Sequence, residues 1–294
     1  MITFIILGII QGAVIGLMAI GIVLVYKGSR VFNFAQAEFG TVAAFMLFFF
    51  FSVAGIPYLI ALVLALIAAG LMGFLVERLV VRPLFNAPRV TLLVATAGIA
   101  LLAIALELII GHAEIRQLDP IIPGNAFGLA GANVSWQQLI SLFVLGGLAI
   151  GLAYFFNKTD LGLAVLATSQ ESVATELVGI GTRRMSSFVW TFAAVLGGIA
   201  GVLQAPDTTF TPGFMTQNFL LLGFTAAVIG GITSLAGAFV GGQLIGLVQS
   251  LGSYFDNAYL KDFADIPGIP DLLVFILLLT ILLVRPKGLL GAEA

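Results

Sequence analysis

The side chains in this 294-residue chain that can do chemistry are few, since 9% of its residues are charged and 61% hydrophobic. Glu38 follows Asn33 and Gln36 inside an apolar run, in the string Asn33-Phe34-Ala35-Gln36-Ala37-Glu38. Two amides and a carboxylate this close can line a polar pathway or gate. Equally, Glu38 can rest at an aqueous edge beside Arg30. An ionisable group inside a membrane costs roughly 2.5–3.5 kcal/mol on insertion scales and is a functional candidate by default. Glu107 ends another apolar run, where reaching out to the aqueous boundary explains it. Thr225, Thr233 and Ser234 supply neutral hydroxyls that can hydrogen-bond a small polar solute, around a glycine pair, Gly230 and Gly231, suited to a turn. His112 is the single histidine, and His112-Ala113-Glu114-Ile115-Arg116 lacks the second one that a helical zinc motif needs, so no metal centre is expected.

Other chemistries drop out by composition. With no cysteine there is no disulfide, thiolate site or thiol nucleophile. No paired constellation marks a hydrolase, and the chain is not expected to be an enzyme. A net charge of −2 offers no basic surface for nucleic acid. Gly231–Ala238 has glycines but not the Lys-Ser/Thr ending of a phosphate-binding loop, so no nucleotide or other cofactor is expected on this chain.

The elements that position these residues are membrane helices. Mean hydropathy is +1.18, whereas a soluble domain carries about 25% charged residues. Apolar segments at Thr3–Tyr26, Asn33–Val53, Tyr58–Val76, Val90–Ile110, Trp136–Phe156, Ser187–Gln204, Phe219–Leu251 and Asp271–Val284 approach or exceed the roughly 20 residues that cross a bilayer. The expected fold is an all-α polytopic bundle of about eight or nine elements in a single domain, residues 1–294. Lys27, Arg30, Arg78, Arg82, Arg89, Lys158, Arg183, Arg184, Arg285 and Lys287 fall on one side, and Arg116 and Lys261 on the other. The positive-inside rule makes the first side cytoplasmic, with the N-terminus outside and the C-terminus inside. Both flanks of Phe219–Leu251 then lie outside, so this run must enter and return. Split at Gly230–Gly237, each arm has about 12–15 residues, roughly 18–23 Å of helix. A broken or re-entrant hairpin, or two short spans, satisfies this.

The longest cytoplasmic connection, about 158–186, is polar yet patterned. Thr168-Ser169-Gln170-Glu171 fits a capping box that opens a helix. Val173, Leu177 and Ile180 share one face, and Gly179 and Gly181 are suited to end it. So short an amphipathic helix is marginal alone and must lie against lipid, its own bundle or a partner.

Five motifs, in order, resemble the LivH-type permeases of bacterial ABC importers for branched-chain amino acids and related amides. They are Gly16–Phe45 with its Asn-Phe-Ala-x-x-Glu-Phe, Glu77–Leu84, Gln170–Gly181, Phe224–Gly242 and Arg285–Gly291. Gln36-Ala37 stands where that family commonly has His-Gly, and Thr233 where it has Gly. The resemblance implies an inner-membrane permease that carries no ATP itself. Its partners would be two cytoplasmic ATPase subunits, a second, LivM-type permease or another copy of this chain, and an external solute-binding protein. Glu171, Ala174, Glu176, Gly179 and Ile180 would then couple to the ATPase. Asn33, Gln36, Glu38, Thr225, Gly230, Gly231, Thr233 and Ser234 would line the substrate pathway. An excess of acids on the outer face (Glu114, Asp119, Asp207, Asp256, Asp262, Asp265 and Asp271) is either solvated loop ends or a docking patch for the binding protein. The alternative reading is an ion-coupled carrier or a passive channel for a small neutral solute such as urea.

Overall fold

The computed structural model describes residues 1–129, 132–257 and 268–291, so the expectations at Lys261, Asp262 and Asp265 lie outside the described residues. Helix α1 covers Ile2–Ser29, and α2 covers Glu38–Phe48 and runs on through a widened π turn, Phe49–Val53. Helix α3 spans Tyr58–Val76 with a second π turn, Glu77–Val81, and α4 spans Arg89–Gly111. Two short strands, β1 (Asn125–Leu129) and β2 (Ala132–Ser135), pair antiparallel and lead into α5, Trp136–Lys158. Then come α6 (Asp160–Gln170), α7 (Ser172–Leu177) and α8 (Thr182–Gln204). A third π turn, Thr216–Leu220, precedes α9 (Leu221–Gly230), followed by α10 (Leu235–Phe255) and α11 (Ile269–Val284).

Among the described residues six helices are long and apolar enough to cross a membrane, and three shorter apolar ones, Glu38–Val53, Thr216–Gly230 and Ile269–Val284, accompany them. The all-α membrane bundle expected from hydropathy is what forms; the strand pair was not foreseen. Helix starts follow local chemistry. Pro57 and Pro88 sit just before α3 and α4, where the missing N–H does no harm. Thr159 and Ser234 cap α6 and α10, each hydroxyl accepting an N–H three residues on, at 3.1 and 3.0 Å.

The chain forms two compact units. One comprises residues 1–20, 122–149 and 222–294. In it, α1 meets α10 through glycines: a Cβ on Gly8 or Gly12 would press on Gly246 or Gln243, and one on Gly242 or Gly246 would overlap Gly16 or Gly12. Small residues let membrane helices approach to this degree. The other unit comprises residues 21–121 and 150–221. Its centre is α2, with Phe39, Ala43, Ala44 and Leu47 all fully buried. Gly201 lies on the Gly40 backbone, Gly198 on Ala69 and Ala43, and Gly73 on Ala194, which presses α2, α3 and α8 together. Leu71, Leu102 and Ile150 face outward, as lipid-contacting side chains do.

Three expectations need correction. The break at Gly230–Ser234 is present and the first arm, Thr216–Gly230, has the expected length, but the second, α10, is longer at 21 residues. At 1.5 Å per residue α10 reaches about 31 Å and crosses a core of about 30 Å. Helix α8 starts at Thr182, ahead of the apolar run, because Arg183 and Arg184 are good helix formers. Finally, Thr168, Ser169 and Gln170 close α6 instead of opening a helix. Their hydroxyls bond backward, Thr168 to the Ala164 carbonyl and Ser169 to that of Leu166, and Glu171 precedes α7 without capping it by its side chain.

Candidate functional site

Between α1 and α2 the backbone leaves helix. Arg30 takes a left-handed conformation, φ +55°, which costs a residue with a Cβ roughly 1–2 kcal/mol. Its guanidinium donates to the Ser169 carbonyl, not to Glu38. Asn33, Gln36 and Glu38 are all completely buried. Asn33 Nδ2 donates to Gln36 Oε1 at 3.3 Å, and Asn33 Oδ1 accepts the Ala35 N–H at 3.0 Å. Gln36 Nε2 donates to the Ala193 carbonyl at 2.8 Å, in space that Gly21 and Gly197 leave open. Asn33 therefore braces this segment, and Gln36 ties it to α8.

Glu38 differs. It begins α2, and neither of its oxygens accepts a hydrogen bond. Its neighbours are the hydroxyls of Thr41 and Thr216 and the carboxyl group of Glu107. Glu107 is 7% exposed, so it does not reach out to the aqueous edge as its position in α4 led us to expect. Glu107 Oε2 accepts the Gly213 N–H at 2.9 Å, while Oε1 accepts nothing. The Met215 N–H donates to Thr41 Oγ1 at 3.3 Å. Two carboxyl groups from α2 and α4 thus face each other, with the segment 213–216 folded over them. Arg116 does not reach in: its guanidinium lies 4.8 Å from the Phe48 ring centroid and donates to the Gly111 carbonyl.

The hairpin residues belong to the other unit and serve mostly as architecture. Gly231 has φ +104°, and Gly230 abuts Gly237 with no room for a side chain. The Ser234 hydroxyl is used as the α10 cap and Thr233 is exposed, while Thr225 is buried in α9. The turn is covered by the tail: the N–H groups of Leu289 and Leu290 donate to Ile229 and Gly230 carbonyls at 2.8 and 3.0 Å.

Helix α7 is short and lies against α6 and the start of α8. Gly179, φ +90°, ends it, and the N–H groups of Val178, Gly179 and Ile180 return to the carbonyls of Ala174, Glu176 and Thr175. The Thr182 hydroxyl bonds the Glu176 carboxylate, fixing α7 to the start of α8. Thr175 is buried, yet Leu177 and Val178 are 84% and 76% exposed. The Val173 side chain lies outside what the structure describes. Sequence reading missed a further cluster: Glu77, fully buried, binds Arg82 through two hydrogen bonds and accepts the Ser187 hydroxyl. The signal was present in the acid and base five residues apart within Glu77–Leu84.

These features define a multi-pass membrane protein with a short, outward-facing helix between two of its spans. A profile of the family described as branched-chain amino acid transport system / permease component matches residues 4–284. The chain belongs to that family. It is 29% identical over 300 residues to the high-affinity branched-chain amino acid transport system permease protein BraD of Pseudomonas aeruginosa, covering 97% of this chain and 94% of that one. It is likewise 29% identical to the corresponding protein LivH of Escherichia coli, covering 97% and 93%. Among solved structures, PsaBC from Streptococcus pneumoniae in complex with Fab aligns with a TM-score of 0.54 and 14% identity, covering 97% of this chain and 91% of that one, a likeness of fold.

Proposed function

We propose that this chain is the transmembrane permease subunit of an ABC importer that moves a branched-chain amino acid, or a related small amide, into the cytoplasm. The energy comes from ATP hydrolysed on two partner ATPases. A second LivM-type permease or another copy of this chain, and an external solute-binding protein, complete the assembly. The N-terminus lies outside and the C-terminus in the cytosol, as the placement of Lys and Arg requires.

The observation that carries this reading is the pair of large apolar side chains held in the open, Leu177 at the end of a six-residue helix and Val178 just after it. So short a helix does not persist in water without support. Here its polar side is anchored through Glu176 and Thr182 and its apolar tip is left for a groove. Glu171, Ala174, Glu176, Gly179 and Ile180 make the coupling surface, and nucleotide-driven closure of the ATPases pushes α7 and with it α8. Rigid-body shifts of packed helices are an established means of switching access. We assign Asn33, Gln36 and Glu38, and separately Thr225, Gly230, Gly231, Thr233 and Ser234, to the handling of substrate.

Mild purification of the tagged protein tests the assembly. Walker-motif ATPases co-purify, and the complex hydrolyses ATP faster when loaded binding protein is added. A chain that purifies alone and admits solute without ATP would return the channel reading to first place.

A further inference from the structure

Glu38 and Glu107 pose an electrostatic problem that no cationic side chain beside them solves. Three of their four carboxyl oxygens, Glu38 Oε1 and Oε2 and Glu107 Oε1, are buried without a hydrogen bond. A fourth buried oxygen, Thr216 Oγ1, also lacks a partner and lies beside Glu38. The groups that act on the two carboxyls are each other, Thr41 and Thr216 hydroxyls and the Gly213 N–H. None of these is a cation. Arg82 is committed to Glu77, and Arg116 pairs with Glu114. Burying an uncompensated carboxylate costs several kcal/mol even after relaxation, and two facing each other repel as well. Orphaned acceptors from α2, α4 and the segment 213–216 converging on one point mark a place for positive charge.

We propose that Glu38 and Glu107 share one small monovalent cation inside the membrane, a sodium ion or a hydrogen ion, while the charge it leaves rests on the Gly213 N–H and the Thr41 and Thr216 hydroxyls. The donor set is all oxygen, which suits a hard cation, and no cluster of three His, Cys, Asp or Glu exists among the described residues to hold a transition metal. Divalent ions fit poorly. Calcium takes six to eight oxygens, and magnesium keeps several waters, for which a completely buried Glu38 leaves no access. The occupant bridges α2 to α4 and seats the Gly213–Thr216 segment against both. This site stands independently of the importer reading, since it rests on packing within one unit.

The test is thermal unfolding of the full-length chain in lipid nanodiscs, at fixed ionic strength, with sodium replaced by N-methylglucamine. Infrared spectra are recorded in H2O and D2O. If sodium is the occupant, added sodium raises the unfolding temperature of the wild type and leaves E38Q/E107Q unmoved. If a hydrogen ion is the occupant, sodium has no effect, and the wild type shows a deuterium-sensitive carboxylic-acid carbonyl band that the double variant lacks. Should E38Q/E107Q not fold, Thr216→Val keeps both acids and removes one oxygen. It then raises the half-maximal sodium concentration about tenfold, or shifts the frequency of the carbonyl band. No sodium response together with no such band, or a response to calcium alone, overturns the proposal.

Discussion

Glu77 and Arg82 clasp each other across a π turn, with hydrogen bonds of 3.2 and 3.0 Å to a carboxylate that water does not reach. The Ser187 hydroxyl donates to the same carboxylate at 2.7 Å, so one acid joins the end of α3 to the first turns of α8. Removing one partner of a buried pair strands the other and destabilises by about 3–5 kcal/mol. Glu77→Ala should therefore lower the unfolding temperature of the detergent-purified protein by several degrees. Arg82→Lys should fall between that variant and wild type, because an ammonium cannot make the two-pronged contact. An unchanged melting curve for Glu77→Ala would show that the clasp carries no stability.

Gly201→Val should be far more damaging than its size suggests. A Cβ there collides with the Gly40 backbone, and overpacking a tight interface costs about 1–3 kcal/mol or more. Gly98→Ala is the contrasting case, since nothing lies within 4 Å of its added Cβ and a helical Ala is favoured over Gly by about 0.8–1.0 kcal/mol. Size-exclusion profiles and melting temperatures should separate the two variants in opposite directions.

Gly179→Pro is expected to insert in the membrane normally yet lose stimulated ATP hydrolysis in the assembled complex. Its φ of +90° is closed to proline, whose ring fixes φ near −65°, so α7 must end differently. Leu177→Asp should give the same uncoupling by a different route, leaving the backbone alone and removing the apolar tip. Full stimulation of ATPase activity by both variants would refute the coupling role of α7.

Orientation is checked with a single cysteine, since the natural sequence has none. A membrane-impermeant maleimide added to intact cells should leave Leu177→Cys unmodified and label it fully in inverted vesicles. Labelling of intact cells would place α7 on the wrong face for a cytosolic ATPase.

The Gly231–Gly288 contact should behave as a coupled pair. Both residues have left-handed backbones, φ +104° and +81°, and a Cβ on Gly288 would press on Gly231. Alanine at either position should destabilise, and the double variant should depart from additivity by 0.5–3 kcal/mol, the range for residues in contact.

Hydropathy made most of the spans readable, because a membrane helix announces itself residue by residue. The break at Gly230–Gly237 was readable for a related reason: charge placement demanded that the run return. What escaped was set by long-range packing. Nothing in the sequence around Glu107 distinguishes a carboxylate at the aqueous edge from one turned inward onto Glu38; only the fold of the segment around Gly213 decides it. The same holds for Thr168–Gln170, whose side chains satisfy a capping pattern but whose backbone is already committed to α6. Conversely, Gly179 was legible because a left-handed turn leaves so few residues to choose from.

The tail–hairpin pairing has a consequence for biogenesis. Residues 285–291 leave the ribosome some fifty positions after the turn they fasten. Until then α9 and α10 have no latch, so a nascent chain stalled before Leu289 would be open to quality-control proteases at Gly230–Ser234. The strip that follows α11 thus works as a buckle, closing over the Gly230–Ser234 bend only once it has been made.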